Sequence, residues 1–466
     1  MSQNDVILYT LLGYGVVLLA IGVWARGRNR DNTDFFLGGR RLGPWLAALS
    51  GSASSSSAWT LLAVSGAAYG WGLSALWLFP ATLGGFLINW FLIAPRLRLL
   101  SRETGAITVA EIIAPVEFGA SRQRVLRVAA VIVLFCFMFY IASQFEGAGK
   151  AFQSHFGWSR EAAILAGVAI VLAYTLLGGF WAVSVSDLIQ GLMMAATAVL
   201  VPLAALLAVG GPAGLAAGLL ADASPEVLSL TGPFGGAMGL AFVLGTLGIG
   251  LGYPGQPHVV NRFMALRDEA SLRRARVIAI GWAVIVYAGM LLLGLCARVL
   301  YEVGDGEQVL FETSAQVLPP FVAGFVLAAV LSAIMSTADS QLLVAASCVA
   351  HDWNAGSPAQ NSRLSLSRLT VLLLCVAAAA LAIFVAEDIF TRVLFAWHAV
   401  GSAFGPLLLM RVLGRPVGVG ATLATLVTGA GLTVILHWLP AAPGDAAERL
   451  LPLAAAMSIA WFFRGR

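Results

Sequence analysis

Residues 245–258 read Gly-Thr-Leu-Gly-Ile-Gly-Leu-Gly-Tyr-Pro-Gly-Gln-Pro-His. They close an apolar stretch, 234–255, of the length that crosses a bilayer core, about 20 residues of helix. Glycines at spacings of two or three and then two prolines oppose an uninterrupted helix, because glycine costs backbone entropy and proline removes a donor. The alternative is a helix that simply ends here. A second unusual stretch, Ser50-Gly51-Ser52-Ala53-Ser54-Ser55-Ser56-Ser57-Ala58, lies inside another apolar segment, 44–71. Serine and glycine are poor helix formers, and serine hydroxyls compete for backbone hydrogen bonds. A run this dense either unwinds the helix or forms a small-residue packing face. Unwound backbone is tolerated at membrane depth only under cover of protein or a water-filled cavity. Its carbonyls and hydroxyls then make an oxygen-rich nest that suits a hard cation.

Outward from these two stretches, the chain divides into thirteen apolar segments of spanning length, near 6–25, 44–71, 74–95, 124–152, 161–178, 182–210, 234–255, 275–300, 318–348, 367–386, 389–411, 417–438 and 448–464. The two interrupted segments are the second and the seventh, five apart. Matching interruptions in two five-helix halves predict an inverted repeat with its binding site at the breaks. The expected organisation is a single transmembrane domain over 1–466: an extra helix and loop in 1–43, a ten-helix core in 44–411, and two extra helices in 412–466. A tight turn around Gly178-Gly179-Phe180 is expected to separate the fifth and sixth segments.

Composition fits this. Of 466 residues, 59% are hydrophobic and 11% charged, against roughly 25% charged in soluble domains. A surface facing water cannot be built from so few charges, so the bilayer is the expected surroundings. The net charge of +4 is no nucleic-acid signature, since the arginines are spread over short loops. Cys136, Cys296, Cys348 and Cys375 all fall in apolar stretches, with neither metal-ligand spacing nor a disulfide pattern. The first segment lacks a positive flank and a small-residue cleavage site, so it is expected to be retained.

Loop charge sets the orientation. Arg26, Arg28, Arg30, Arg40 and Arg41 follow the first segment, and 96–123 and 262–276 are again Arg-rich. The loops at 211–233 and 301–317 have no basic residue. Arg411, Arg415, Arg464 and Arg466 fall on the basic side. The N-terminus is therefore expected outside and the C-terminus in the cytoplasm. No phosphate-binding G-x-x-x-x-G-K-[ST] stretch occurs, and no catalytic motif is recognisable, so an enzyme is not expected. A channel, or a sensor on a transporter scaffold, is the competing class; a sensor needs an output domain, for which the Arg464-Gly465-Arg466 tail gives no room.

Costly residues at membrane depth mark the candidate site. In Ser332–Gln341, Ser336, Thr337 and Ser340 share a helical face, and Asp339 implies an ion or a partner, or a plain interhelical hydrogen bond. Asp187 belongs either to a helix N-terminus or to an ion path. Glu146 and Lys150, one turn apart, are expected to pair with each other. Tyr140 and Gln144 share a face, and a buried amide such as Gln144 needs partners.

At these stretches the sequence resembles the sodium/solute symporters, and within them the sodium/proline symporters. The resemblance is carried by Gly250-Leu251-Gly252-Tyr253-Pro254-Gly255-Gln256-Pro257-His258 with Arg262-Phe263-Met264-Ala265, by Met335-Ser336-Thr337-Ala338-Asp339-Ser340-Gln341-Leu342-Leu343, by Gly178-Gly179-Phe180 with Ser186-Asp187, and by Ile88-Asn89-Trp90 with Arg96-Leu97-Arg98. It implies a LeuT-like inverted five-plus-five fold of about thirteen transmembrane helices. It also implies a sodium-coupled symporter of the cell membrane, importing proline or a related amino acid by alternating access. A carboxylate, sugar or vitamin as the solute, or proton coupling, is the alternative. Carried over, the sodium site falls on Ala53, Ser56, Ala333, Ser336 and Thr337. A possible second sodium site falls on Asp187, Ser336, Asp339 and Ser340. The substrate pocket falls on Ser57, Tyr140, Tyr253 and Pro257, with Gln144 on the Tyr140 face. Two positions depart from the proline symporters: Ser55 stands in place of an aspartate, and Ile249 in place of a pocket tryptophan.

Overall fold

The computed structural model describes residues 3–25, 37–175, 180–222, 224–353, 360–385, 387–440 and 442–463. The turn at Gly178 and Gly179, the loop arginines 26, 28 and 30, and Arg464 and Arg466 lie outside the described residues. In chain order the helices are α1 (Gln3–Ala25), α2 (Pro44–Ala58), α3 (Val64–Trp71), α4 (Leu78–Leu87), α5 (Ala94–Thr104), α6 (Val109–Ile113), α7 (Arg122–Phe156), α8 (Arg160–Thr175), α9 (Phe180–Ala208) and α10 (Gly211–Leu220). After these come α11 (Gly236–Gly248), α12 (Pro257–Ala265), α13 (Glu269–Leu300), α14 (Val309–Val317), α15 (Pro320–Ser347), α16 (Gln360–Phe384), α17 (Ile389–Val412), α18 (Val419–His437) and α19 (Ala446–Phe462).

Each apolar segment read from the sequence is largely helical over its described residues. Among the described residues, nine helical stretches are long and apolar enough to cross a membrane. One of them, Pro44–Thr104, has 61 residues and would run about 90 Å if straight, three bilayer cores. It turns back at Gly72, where φ is 63° and ψ −137°. Arg102, near its far end, consequently donates to the Arg40 carbonyl just before its start (3.3 Å).

Helix ends are fixed by local chemistry. Pro44, Pro257 and Pro320 occupy first-turn positions, where a missing N–H costs nothing. Asp268 and Asp388 cap α13 and α17 by accepting from Ser271 N (2.7 Å) and Thr391 N (2.8 Å). α15 and α17 are the most enclosed helices and form the centre of the bundle, whereas α18 is largely peripheral. Tight crossings use small residues, as at membrane helix interfaces generally. A Cβ on Gly250 would lie 2.1 Å from the Ala81 carbonyl oxygen, and one on Gly255 2.6 Å from that of Gly401.

Two expectations are corrected. Glu146 and Lys150 do not pair with each other. Glu146 binds Arg160 at the start of α8 (2.6 Å), and Lys150 binds Asp305 (2.6 Å) and Glu307 (2.7 Å) of the loop before α14. One turn separates the two residues on the helix, but the start of α8 claims Glu146 and the loop before α14 claims Lys150. Arg262 is not a loop charge either: it lies in α12 and is 1% exposed.

Candidate functional site

Both interruptions are present. Within Pro44–Ala58 the helix breaks at Ser57, with φ 19° and ψ −172°, and a π turn, Trp59–Ala63, leads into α3. The serines divert the ladder as their chemistry predicts. Ser55 Oγ donates to the Ser52 carbonyl (2.9 Å), and Trp59 N–H donates to Ser57 Oγ (3.1 Å). In the second interruption α11 tightens into a 3-10 turn, Ile249–Gly255, then breaks at Gln256 (φ −88°, ψ 102°) before α12. Gln256 Nε2 ties this break to the Gly252 carbonyl (3.1 Å) and to that of Trp397 in α17 (2.8 Å). The helix therefore resumes rather than ends.

Around the breaks sit the residues assigned to the substrate pocket. Tyr140 OH donates to Ser57 Oγ (3.5 Å), and Gln144 Oε1 accepts from Ala58 N–H (3.0 Å). Tyr253 OH is 3.0 Å from Tyr287 OH, which is 3.2 Å from Thr60 Oγ1. Ile249 and Pro257 are buried at the two ends of the second break. Trp397, which sequence reasoning missed, packs edge-on against Tyr253 with ring centroids 4.6 Å apart and donates from Nε1 to the Ile249 carbonyl (3.2 Å). An indole thus reaches the second break from α17 although position 249 carries none. Tyr287 and His258, whose ring stands 6.0 Å from Tyr140, were missed as well. The usable signal was an aromatic or polar side chain inside an apolar span.

One turn inward on α2, Ser54 joins α15 to the first break. Thr337 Oγ1 donates to the Ser54 carbonyl (3.1 Å), and Ser54 Oγ lies 3.4 Å from Ser336 Oγ and 2.9 Å from Ser340 Oγ. Ala53, Ser56 and Ala333 are buried on these same turns. Asp187 of α9 completes the cluster, accepting from Ser50 Oγ (2.6 Å) and Ser54 Oγ (3.3 Å). Its ion partner is Arg262, whose Nη2 lies 3.2 Å from Asp187 Oδ2 and donates to Ser54 Oγ (3.0 Å) and Ser340 Oγ (2.5 Å). Arg262 Nε also donates to Ser50 Oγ (3.0 Å), and Nη1 donates to the His258 carbonyl. Asp339 stands apart. Its carboxyl meets Thr175 Oγ1 of α8, on another side of α15. The structure therefore gathers Asp187, Ser336 and Ser340, and leaves Asp339 outside their group.

The profile of the sodium:solute symporter family matches residues 35–429, most of the chain. The chain belongs to the sodium:solute symporter family. As a member it is a multi-pass membrane transporter that couples a small solute to sodium. The symporter is 36% identical over 433 residues to the osmoregulated proline transporter OpuE of Bacillus subtilis, covering 91% of this chain and 87% of that one. It is 33% identical to the high-affinity proline transporter PutP of the same organism, covering 96% and 95%. It is 34% identical to the sodium/proline symporter of Escherichia coli, covering 91% and 85%. Among solved structures, a substrate-bound outward-open Na+-coupled sialic acid symporter superposes with a TM-score of 0.78 at 18% identity, over 98% of this chain and 96% of that one. Mhp1, a nucleobase-cation-symport-1 family transporter, superposes with a TM-score of 0.55 at 15% identity, over 93% and 96%. The symporter thus has the LeuT-like, inverted-repeat fold.

Proposed function

We propose that this symporter imports proline, or a closely related amino acid, together with sodium. The observation that carries this reading is the cluster of aromatic and hydroxyl side chains at the Ser57 break, joined through one turn of α2 to the hydroxyl cluster at Ser54. The names of its curated relatives support proline. Sodium is held by the carbonyls of Ala53 and Ala333 and the hydroxyls of Ser56, Ser336 and Thr337. Asp187 with Ser336 and Ser340 is a second cation position, which the Arg262 guanidinium fills in this structure, and Asp339 faces Thr175 instead. Ser57, Tyr140, Gln144, Ile249, Tyr253 and Pro257 enclose the solute, with Trp397 supplying the indole that Ile249 does not.

The ten helices of 44–411 rock about this site, closing outside and opening inside, with the helices of 1–43 and 412–466 at the periphery. The N-terminus faces outward and the C-terminus the cytoplasm, so the arginine-rich loops are internal. Sodium entry then supplies about 2.3 kcal/mol per charge per 100 mV, besides its concentration gradient. The test is uptake of radiolabelled proline into proteoliposomes with and without an inward sodium gradient. Saturable, sodium-stimulated uptake is expected. Sodium-driven flux of a different solute refutes proline, and uptake driven by a proton gradient without sodium refutes the coupling.

A further inference from the structure

The first amide of the outer half of the broken helix already has an acceptor. Ala58 N–H donates to Gln144 Oε1 at 3.0 Å, while Gln144 Nε2 donates to Ser143 Oγ at 3.1 Å. The side chain is fully buried. It reaches the break because Gly147, one turn on, lets α7 close onto α2; a Cβ there would lie 2.9 Å from the Ala58 Cβ. A neutral amide oxygen is a weak occupant of such a position. A helix N-terminus favours an anion, and hydrogen bonds to an ionised acceptor are roughly twice as strong as neutral ones. The same break holds a second donor in want of an acceptor. Trp59 Nε1 is buried without a partner among the described residues, and its ring lies 6.4 Å from that of Tyr287 on the pocket wall.

We propose that Gln144 competes with the carboxylate of the substrate for Ala58 N–H, so that its amide oxygen gives way when the substrate binds. Gln144 is then a specificity-determining residue. It sets the apparent affinity for carboxylate substrates relative to analogues that have no oxygen acceptor. The inference rests on an amino acid being the solute. The experiment uses the full chain in proteoliposomes under an inward sodium gradient. It compares the KM for proline with inhibition by pyrrolidine, which keeps the ring amine and has no oxygen acceptor. Gln144→Ala removes the competitor and is expected to lower the proline KM several-fold more than it moves the inhibition constant of pyrrolidine. Gln144→Glu keeps the shape but fixes an anion at the Ala58 amide. It is expected to raise the proline KM by about tenfold or more, as charge repulsion of about 1.4 kcal/mol would, and not to weaken pyrrolidine.

A Gln144→Ala variant that raises the proline KM, or shifts both ligands alike, overturns the proposal. If Gln144→Ala fails to fold, the isosteric Gln144→Glu decides alone, and an unchanged proline KM overturns it. Wild-type protein that carries another carboxylate in place of proline refutes only the proline reading, and the two variants are then compared on that carboxylate and its analogue with hydrogen in place of the carboxylate. Wild-type protein that carries only carboxylate-free solutes refutes both.

Discussion

Replacing Arg262 with glutamine removes the one ion-pair partner that Asp187 has among the described residues, and both side chains are essentially unexposed. Losing one member of a buried pair costs about 3–5 kcal/mol, because a desolvated charge is left behind. At about 2.1 cal/mol/K per residue, a chain of 466 residues unfolds with an entropy near 1 kcal/mol/K, so Tm falls by about 3–5 °C. Sodium should change that figure. Arg262 Nη2 donates to Ser340 Oγ and Ser54 Oγ and lies against Asp187 Oδ2, oxygens that a cation at Asp187 would take. In Arg262→Gln these oxygens are open to sodium, and at a hundred times its dissociation constant an ion adds about 2.7 kcal/mol. Most of the lost Tm should therefore return in high sodium, while the wild type gains less. Thermal unfolding of purified protein across a sodium series measures this. The double variant Arg262→Gln/Asp187→Asn should lose clearly less than the sum of the single losses, because the orphaned charge is gone. Additive losses, or an Arg262→Gln protein with wild-type Tm at every sodium concentration, would refute the reasoning.

Thr337→Ala removes the hydroxyl that holds the Ser54 carbonyl, and Ser336→Ala one that faces Ser54 Oγ. Both should raise the sodium concentration for half-maximal uptake, and normal sodium activation in both would contradict the site. Trp397→Phe keeps an aromatic ring against Tyr253 but loses the bond to the Ile249 carbonyl; at about 1 kcal/mol for such a bond, the substrate KM should rise about fivefold in uptake kinetics. Gly147→Leu pushes a side chain into Ala58, and the overpacking should cost about 1–3 kcal/mol and impair uptake, read from Tm and transport together. Glu111 lies in the loop helix α6, outside the spans. Burial alone would raise its carboxyl, but hydrogen bonds from His351, the Ile107 amide and Arg122 outweigh burial and hold it at about 2 against an ordinary 4.5. The resulting stabilisation, about 3 kcal/mol, is fully present above the ordinary value and fades as pH falls toward 2. Glu111→Gln should be less stable near neutrality and approach the wild type in acid, as unfolding at a series of pH values would show.

The breaks were legible because they are local. The dense serines and the Gly/Pro spacing each disturb a helix through their own backbone chemistry, whatever surrounds them. The partners of single charges were not legible, because they depend on packing between distant segments. Lys150 finds Asp305 and Glu307 more than 150 positions away, and no periodicity reports that. Arg262 illustrates the same limit from the other side. Counted with Arg267, Arg273, Arg274 and Arg276 it looks like one of a run of loop charges, yet it lies a turn or more before that loop, still inside α12. Asp339 was correctly flagged as costly, but helical spacing alone did not determine which neighbour it faces; Thr175 on α8 claims it.

The geometry also indicates why solute and ion would be coupled rather than merely neighbours. Ser54 and Ala58 are one helical turn apart on α2, with the break at Ser57 between them. Ser54 offers its carbonyl to Thr337, and Ala58 offers its amide to Gln144. On the proposed site, a cation that draws the Ala53 carbonyl toward α15 would turn the last residues before the break, and with them the direction of the Ala58 amide. A solute that takes that amide pulls from the opposite side. Two ligands that each require the same turn in the same orientation lower one another's binding cost, and linkage makes the effect reciprocal. A rigid, unbroken α2 could not transmit this, because its carbonyls and amides would be committed to each other. On the proposed site the broken helix is the coupling element, and Ser55→Ala, which removes the hydroxyl that donates to the Ser52 carbonyl, should reduce the sodium dependence of solute affinity more than the affinity itself. Uptake KM measured at low and high sodium would decide it: an unchanged ratio between the two would place the coupling elsewhere in the bundle.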